Sequence, residues 1–301
     1  MALQELAAIV NRADSLESLV DAILAGLDEN FGFKHSAILV PTEEPGVLVT
    51  IATRGYAENG AGAEVRFGEG IGGMVAEARK PIRISGLVRG MLYALAAHRD
   101  AEAAAAGHPR RRIPMPGLAS PESQLGVPLL VRGDLVGVLC LESEVPYRFH
   151  EEDKASIELL GSYVAIAIQN MQFQERLLEP VEDGPPSAAA SSPAQGRREV
   201  VYYEADESIF VDGEYLIRSL PARILWRLLT VRDTTGRAEF TNRELRMDKS
   251  LNLPELKDNL ESRLLLLRRR LEQKCPEIRL CARARGRFAL ELACGVALKR
   301  A

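Results

Sequence analysis

The chain has 301 residues, 47% of them apolar and 27% charged. These values exclude an intrinsically disordered or fibrous protein and suit two domains of about 100–200 residues each. The formal charge of −4 argues against nucleic acid as a partner, but that average hides an asymmetry. Residues 1–197 carry 17 Lys and Arg against 26 Asp and Glu, a net −9, whereas residues 198–301 carry 21 against 16, a net +5. An acidic body joined to a basic tail region can have a polyanionic partner that a uniformly acidic chain would not. The four cysteines, Cys140, Cys275, Cys281 and Cys294, form no CxxC motif, so reduced thiols and a cytoplasmic location are expected. The N-terminus lacks a basic leader, and no apolar run reaches the roughly 18 residues of a membrane span. No membrane contact is expected. His35, His98, His108 and His150 have no metal-ligand spacing, and no metal site is expected.

Ser15 precedes an apolar stripe of Leu16, Leu19, Val20, Ile23, Leu24 and Leu27, the i, i+3, i+4, i+7 spacing of an amphipathic helix, which Phe31-Gly32 should end. Strands are predicted at 35–40, 47–53, 63–67 and 81–85. Between the last two, GEGIGGMVAEARK reads as a glycine-rich turn leading into a short helix. Two β-rich runs within 124–143 flank Arg132-Gly133-Asp134, a hairpin with glycine at its turn. A long helix is predicted from about 151 to 178, with Ile157, Leu160, Val164, Ile168 and Met171 on one side. Residues 179–197 are rich in proline and small residues and read as a flexible linker. Beyond it, strands at 200–204, 208–211 and 214–218 precede a helix around 221–231. A second helix starts where Thr241 and Glu244 fit a capping box. A third helix spans roughly 256–274, and strands at 278–282 and 287–292 form a final hairpin. The whole is α+β.

Three strings in the first region resemble the GAF family: GEGIGGMVAEARKPIRI at 68–84, GVPLLVRGDLVGVLCLES at 126–143 and FHEEDKASIELLGSYVAIAIQN at 149–170. The resemblance implies a GAF-like sensor and dimerisation domain over residues 1–178. It would have an antiparallel sheet, a small-molecule or cofactor pocket on one sheet face, and a homodimer formed through the first and last helices. Family subtypes can be separated by what is missing. Glu142-Ser143-Glu144 stands where cyclic-nucleotide binders carry Asn-Lys. No Cys-His pair of bilin binders is present, and only Cys140 is available where the free methionine sulfoxide reductases use several cysteines. No enzymatic activity and no catalytic residue are therefore expected, and the effector is an unknown small molecule. A single histidine could ligate heme iron, but no spacing selects one. The candidate ligand-facing residues are Met74, Tyr93, His98 and Cys140. Residues 86–122 are longer than the family's usual loop. They read either as a surface insertion or as a lid that brings His98, His108 or Arg110–Arg112 to a ligand. For Cys140 the two readings are a small buried hydrophobe and a reactive thiol. GEGIGG lacks the βαβ setting of a dinucleotide fingerprint.

In the second region, SIFVDGEYLIRSLPARILWRLL at 208–229, AEFTNRELRM at 238–247, NLESRLLLLRRRLEQ at 259–273 and IRLCARARGRFALEL at 278–292 resemble the winged-helix effector domain of OmpR/PhoB-type response regulators. That resemblance implies a DNA-binding domain over 198–301, joined by the 179–197 linker. Its third helix would enter the major groove, and its hairpin would reach the neighbouring minor groove or backbone. Residues 256–288 hold ten Lys and Arg against four Asp and Glu, enough positive charge to neutralise phosphates. The resemblance places Lys257, Asn259, Ser262 and Arg263 near bases or backbone. It puts Arg268, Arg269 and Arg270 nearer the backbone or helix end, and Arg283, Arg285 and Arg287 on the wing. Leu264, Leu267 and Leu271 form one core stripe, which leaves Leu265 and Leu266 for other faces. There they would meet thymine methyls or mark a protein-binding face. The expected function is a ligand-responsive, one-component transcription regulator. The alternative is a signalling adaptor whose winged helix binds a protein.

Overall fold

Ser15 and Ser18 close a reciprocal capping box, each side chain bonding the other's backbone, and this starts α1 (Leu16–Phe31). Gly32 ends the helix in a left-handed conformation (φ 66°) that glycine adopts without penalty. The computed structural model describes residues 13, 15–85, 113–177, 196–251, 253, 260–284 and 286–301. The chain divides into two units, Met1–Asn170 and Met171–Ala301. The linker expected at 179–197 lies outside the described residues except at Gly196 and Arg197.

The first unit continues with β1 (His35–Pro41), β2 (Val47–Arg54), β3 (Glu64–Arg66), α2 (Gly70–Ala78), β4 (Ile82–Ser85), β5 (Ser123–Val131), β6 (Asp134–Ser143) and α3 (Glu151–Leu177). The strands form one antiparallel sheet in the order β3-β2-β1-β6-β5-β4. Each predicted strand forms within two residues of its expected ends. The β5–β6 turn uses Arg132 (φ 53°) and Gly133 (φ 84°), the pair of positive φ values that matches a two-residue turn to the strand twist.

The glycines of GEGIGG differ from expectation in place and role. Gly70, Gly72 and Gly73 belong to α2 itself rather than to a turn before it. A Cβ on Gly73 would lie 2.1 Å from the Arg66 carbonyl oxygen, and one on Gly126 of β5 would lie 2.6 Å from Val75 Cγ2. Missing side chains therefore let α2 settle directly on the sheet, where Ile71, Val75 and Ala76 join Ala37, Leu39, Leu48, Val65, Val138 and Cys140 in one buried cluster. On the opposite sheet face, Gly161 brings α3 against Val127 and Leu129. Ile157, Leu160, Val164 and Ile168 of α3 are buried, whereas Leu159, Tyr163 and Ile166 on its other side are 47%, 44% and 49% exposed.

The second unit comprises β7 (Arg197–Tyr203), β8 (Ser208–Val211), β9 (Glu214–Arg218), α4 (Ser219–Thr235), β10 (Glu239–Thr241), α5 (Asn242–Met247), a 3₁₀ turn at Lys249–Leu251, α6 (Leu260–Lys274), β11 (Ile278–Ala284), β12 (Arg287–Leu292) and β13 (Gly295–Arg300). The capping box of Thr241 and Glu244 opens α5 as the sequence suggests. One sheet runs β10-β12-β11 and the other β13-β7-β8-β9. The last strand was not expected. It pairs parallel to β7, with Val296 opposite Arg198 and Leu298 opposite Val200, so a long-range contact specifies it and no local pattern announces it. Leu220, Ile224, Leu225 and Leu228 of α4 and Leu260, Leu264, Leu267 and Leu271 of α6 fill the core of this unit.

Candidate functional site

Antiparallel register places Gln124 of β5 directly opposite Glu142 of β6, and His35 of β1 opposite Glu142 on its other side. The next inward-facing row is Gly126, Cys140 and Ala37. Side chains two residues apart on a strand share a face, so the row of His35, Glu142 and Gln124 forms the polar end of the surface that α2 covers.

Glu142 accepts a hydrogen bond from Gln124 Nε2 at 2.7 Å and another from the Leu118 backbone N–H at 2.9 Å. The Tyr56 phenol lies within electrostatic reach of this carboxylate, and the Tyr56 ring lies 5.5 Å from that of His35. Burial, reinforced by the charge of Glu142, pushes the Tyr56 phenol well above its ordinary range, so it stays neutral beside the carboxylate. Gln124 is 7% exposed, and its Oε1 is buried with no hydrogen-bond partner. That orientation is imposed chemically. An ionised carboxylate only accepts, so the amide nitrogen must face Glu142 and the amide oxygen is left over. A buried acceptor without a donor costs about 1–3 kcal/mol.

A short segment after the long insertion lies over the same face. The Thr50 hydroxyl donates to Met115 Sδ at 3.3 Å. Pro116 approaches Gly60 so closely that a Cβ there would fall 2.0 Å from Pro116 Cδ. Leu118 supplies the N–H on Glu142. The described end of the insertion therefore contributes to this face, whereas Tyr93, His98, His108 and Arg110–Arg112 lie outside the described residues.

Of the sequence candidates, Cys140 sits in the buried cluster and Met74 is half-buried on α2. Burial, and then the charge of Glu142, pushes the Cys140 thiol far above its ordinary range. It is therefore kept protonated, and a protonated thiol is a poor nucleophile. Sequence reasoning missed Glu142, Gln124 and Tyr56. In the sequence Glu142 stands out only as a departure from the cyclic-nucleotide motif, and its pairing with Gln124 follows from strand register. Among the described residues no group of His, Cys, Asp and Glu could hold a metal ion, and no helix is long and apolar enough to cross a membrane.

The family model for the GAF domain matches residues 13–169, which covers this sheet, its helices and the polar row. The chain belongs to the GAF domain family. No curated protein matches it. Solved structures resemble part of the chain. One is the GAF domain of an Acinetobacter phosphoenolpyruvate-protein phosphotransferase, with 17% identity, TM-score 0.45, and coverage of 60% of this chain and 96% of that one. Its counterpart from Coxiella burnetii has 22% identity, TM-score 0.44, and coverage of 58% and 95%. The free methionine-R-sulfoxide reductase of Neisseria meningitidis in complex with its substrate has 18% identity, TM-score 0.45, and coverage of 57% and 89%.

In the second unit, several residues expected to face DNA are placed otherwise. Ser262, Arg263 and Arg270 are 1%, 2% and 4% exposed. Arg270 Nε donates to the Leu216 carbonyl at 2.9 Å, and its Nη1 donates to Gln273 Oε1 at 3.1 Å, so its guanidinium is committed to the fold rather than offered to a phosphate. Arg269 is also buried, and Arg268 is half-buried. Leu265 and Leu266 are 1% and 3% exposed, correcting the expectation that they face outward. Arg287 is half-buried, and exposed Arg283 pairs with Glu291 across the β11–β12 hairpin. Lys257, Asn259 and Arg285 lie outside the described residues. Exposed cations that the sequence reading passed over are Arg243 on α5, Lys249 just after it, and Arg279 on β11.

Proposed function

We propose that this protein is a ligand-responsive, one-component transcription regulator. Its GAF domain binds a small effector, and its C-terminal unit binds DNA as a winged helix. The sensing half rests on family membership together with a sheet face that ends in an uncompensated Glu142 and an orphaned Gln124 Oε1. The DNA-binding half rests on one topological observation: β10, which leads into α5, shares a sheet with the terminal hairpin β11–β12, the arrangement of a wing beside a helix pair. Arg243, Lys249, Arg279 and Arg283 supply exposed positive charge near those elements. An electrophoretic mobility shift on the region upstream of the protein's own gene tests this. Sequence-specific retardation that weakens steeply with salt is expected, and retardation that unrelated DNA competes away equally well refutes it.

The exposed stripe of Leu159, Tyr163 and Ile166 on α3 suits a homodimer built through that helix. Its 4-then-3 spacing is that of a coiled-coil seam. In this reading ligand binding favours one of two dimer arrangements, which requires the ligand to prefer one of them. The protonated state of Cys140 supports a binding role for the GAF domain over a thiol-based reaction. Burial of Leu265 and Leu266 removes the feature that pointed to a protein partner for the winged helix.

A further inference from the structure

We infer that the GAF domain takes a small organic cation, one bearing an ammonium or guanidinium group, at the polar row of Glu142 and Gln124. This inference rests on the sensor reading and names the chemical class of its effector.

Glu142 supplies negative charge with two neutral donors on it, Gln124 Nε2 and the Leu118 N–H, and the neutral Tyr56 phenol close by. Among the described residues no lysine, arginine or histidine forms an ion pair with it. Beside it, Gln124 Oε1 is a buried acceptor with nothing to accept from. The buried unfilled valence here is thus an acceptor beside a carboxylate, and the charge of the pair is negative. A carboxylate or phosphate would meet repulsion from Glu142 and could not satisfy Gln124. A hydroxyl would satisfy one acceptor and leave the charge. A charged N–H donor does both, because one nitrogen can donate to Glu142 and to Gln124 Oε1, which project from directly paired positions on adjacent strands. Ala37, Leu39, Val138 and Cys140 beyond the row are already packed under α2, and Ile84, opposite Gln124 on β4, is partly buried, so the row reads the cationic head of the ligand and sets no requirement on its body. The Leu118 N–H is the donor such a head would displace most readily. It comes from a connecting segment rather than from the sheet, so occupancy would be felt by residues 113–118.

The test uses the full chain at pH 8. Binding is measured by ligand-observed NMR with n-butylammonium, n-butylguanidinium, 1-pentanol and pentanoate, using sodium chloride as the ionic-strength blank. The two cations should bind saturably with a Kd at least tenfold below that of pentanol, and pentanoate should not bind. Glu142→Gln keeps the shape and most hydrogen bonds but removes the charge, and it should weaken cation binding at least tenfold. Gln124→Met keeps the volume and removes the orphan acceptor, and it should weaken binding several-fold. Thermal melts verify that both variants fold. A Kd for pentanol or pentanoate equal to that of the cations overturns the cationic assignment. So does a Glu142→Gln Kd within twofold of the parent, or no saturable binding by either cation. The sensor reading is read out separately, by native mass spectrometry for a co-purifying small molecule of any charge. A neutral or anionic metabolite found there would sink the inference and leave the sensor standing.

Discussion

Two adjacent glycines should respond differently to the same substitution. Gly72 and Gly73 both lie inside α2, where alanine is worth about 1 kcal/mol over glycine by helix propensity alone. At Gly72 the new Cβ would meet Cys140 Sγ at 3.3 Å and Leu39 Cδ2 at 3.4 Å, contacts with side-chain ends that yield by a few tenths of an ångström. At Gly73 it would meet the Arg66 carbonyl oxygen at 2.1 Å, with the Arg66 carbonyl carbon and the Gly68 nitrogen at 3.2 Å. Backbone cannot rotate away, so the helix must lift by roughly 1 Å. Ile71 and Val75, which anchor α2 to the sheet, contribute about 1.5–3 kcal/mol each by burial. A gap of that size forfeits a quarter to a half of such contacts, about 1–3 kcal/mol in all. Subtracting the propensity gain leaves Gly73→Ala destabilised by up to about 2 kcal/mol, a fall of up to roughly 8 °C in Tm for a domain of this size. Gly72→Ala should melt within about 2 °C of the parent, or above it. Thermal and urea melts followed by circular dichroism decide the matter. If Gly73→Ala stabilises the protein, or the two variants behave alike, the close-approach account of these glycines is wrong.

Other expectations follow from the same geometry. Because the folded Cys140 thiol and Tyr56 phenol titrate above their unfolded values, the unfolded chain releases these protons first. Their contribution to stability is then complete below about pH 8.5 and is lost as pH rises past it. The alkaline fall in Tm should flatten in Cys140→Ala. In native protein at pH 8, iodoacetamide should label Cys140 far more slowly than half-exposed Cys281, a difference that peptide mass spectrometry would show and that denaturation should abolish. Arg270→Met should lower stability by about 1–3 kcal/mol, because the buried Leu216 carbonyl loses its donor. A large loss of DNA affinity with unchanged melting would contradict the structural role given to this arginine. Thr241→Ala removes a capping-box hydroxyl and should cost about 0.5–2 kcal/mol, measurable as a lower urea midpoint. Replacing Tyr163 and Ile166 together by glutamate should convert a dimer to a monomer in sedimentation equilibrium, and an unchanged mass would rule out the α3 seam.

Much of the first domain is written locally. A Ser15 cap, a 3.6-residue stripe, alternating strands and Gly133 at a tight turn each act over a few residues, so α1, β1, β2, β5, β6 and α3 could be placed from the chain alone. The same holds for the Thr241 cap, the α4 and α6 stripes and the charge asymmetry between the two regions. The polar row was not legible, because Glu142 and Gln124 are eighteen positions apart and only antiparallel register sets them side by side. The glycines of α2 looked like loop residues because their purpose is a contact with Arg66 and β5 that no neighbour in sequence reveals. β13 escaped notice because its partner, β7, lies almost one hundred residues earlier. The fates of Arg270, Leu265 and Leu266 depended likewise on packing. Periodicity gives a helix one apolar stripe, but burial is decided by how many of its sides the rest of the fold covers. Here that cover turned a helix read as a basic, partly apolar surface into one whose leucines and several of whose arginines are enclosed. The sequence alone determined the elements, their order and the opposite charges of the two regions. Tertiary structure decided which side chains those elements expose and which polar groups they leave unpaired, because both depend on contacts between segments far apart in the chain.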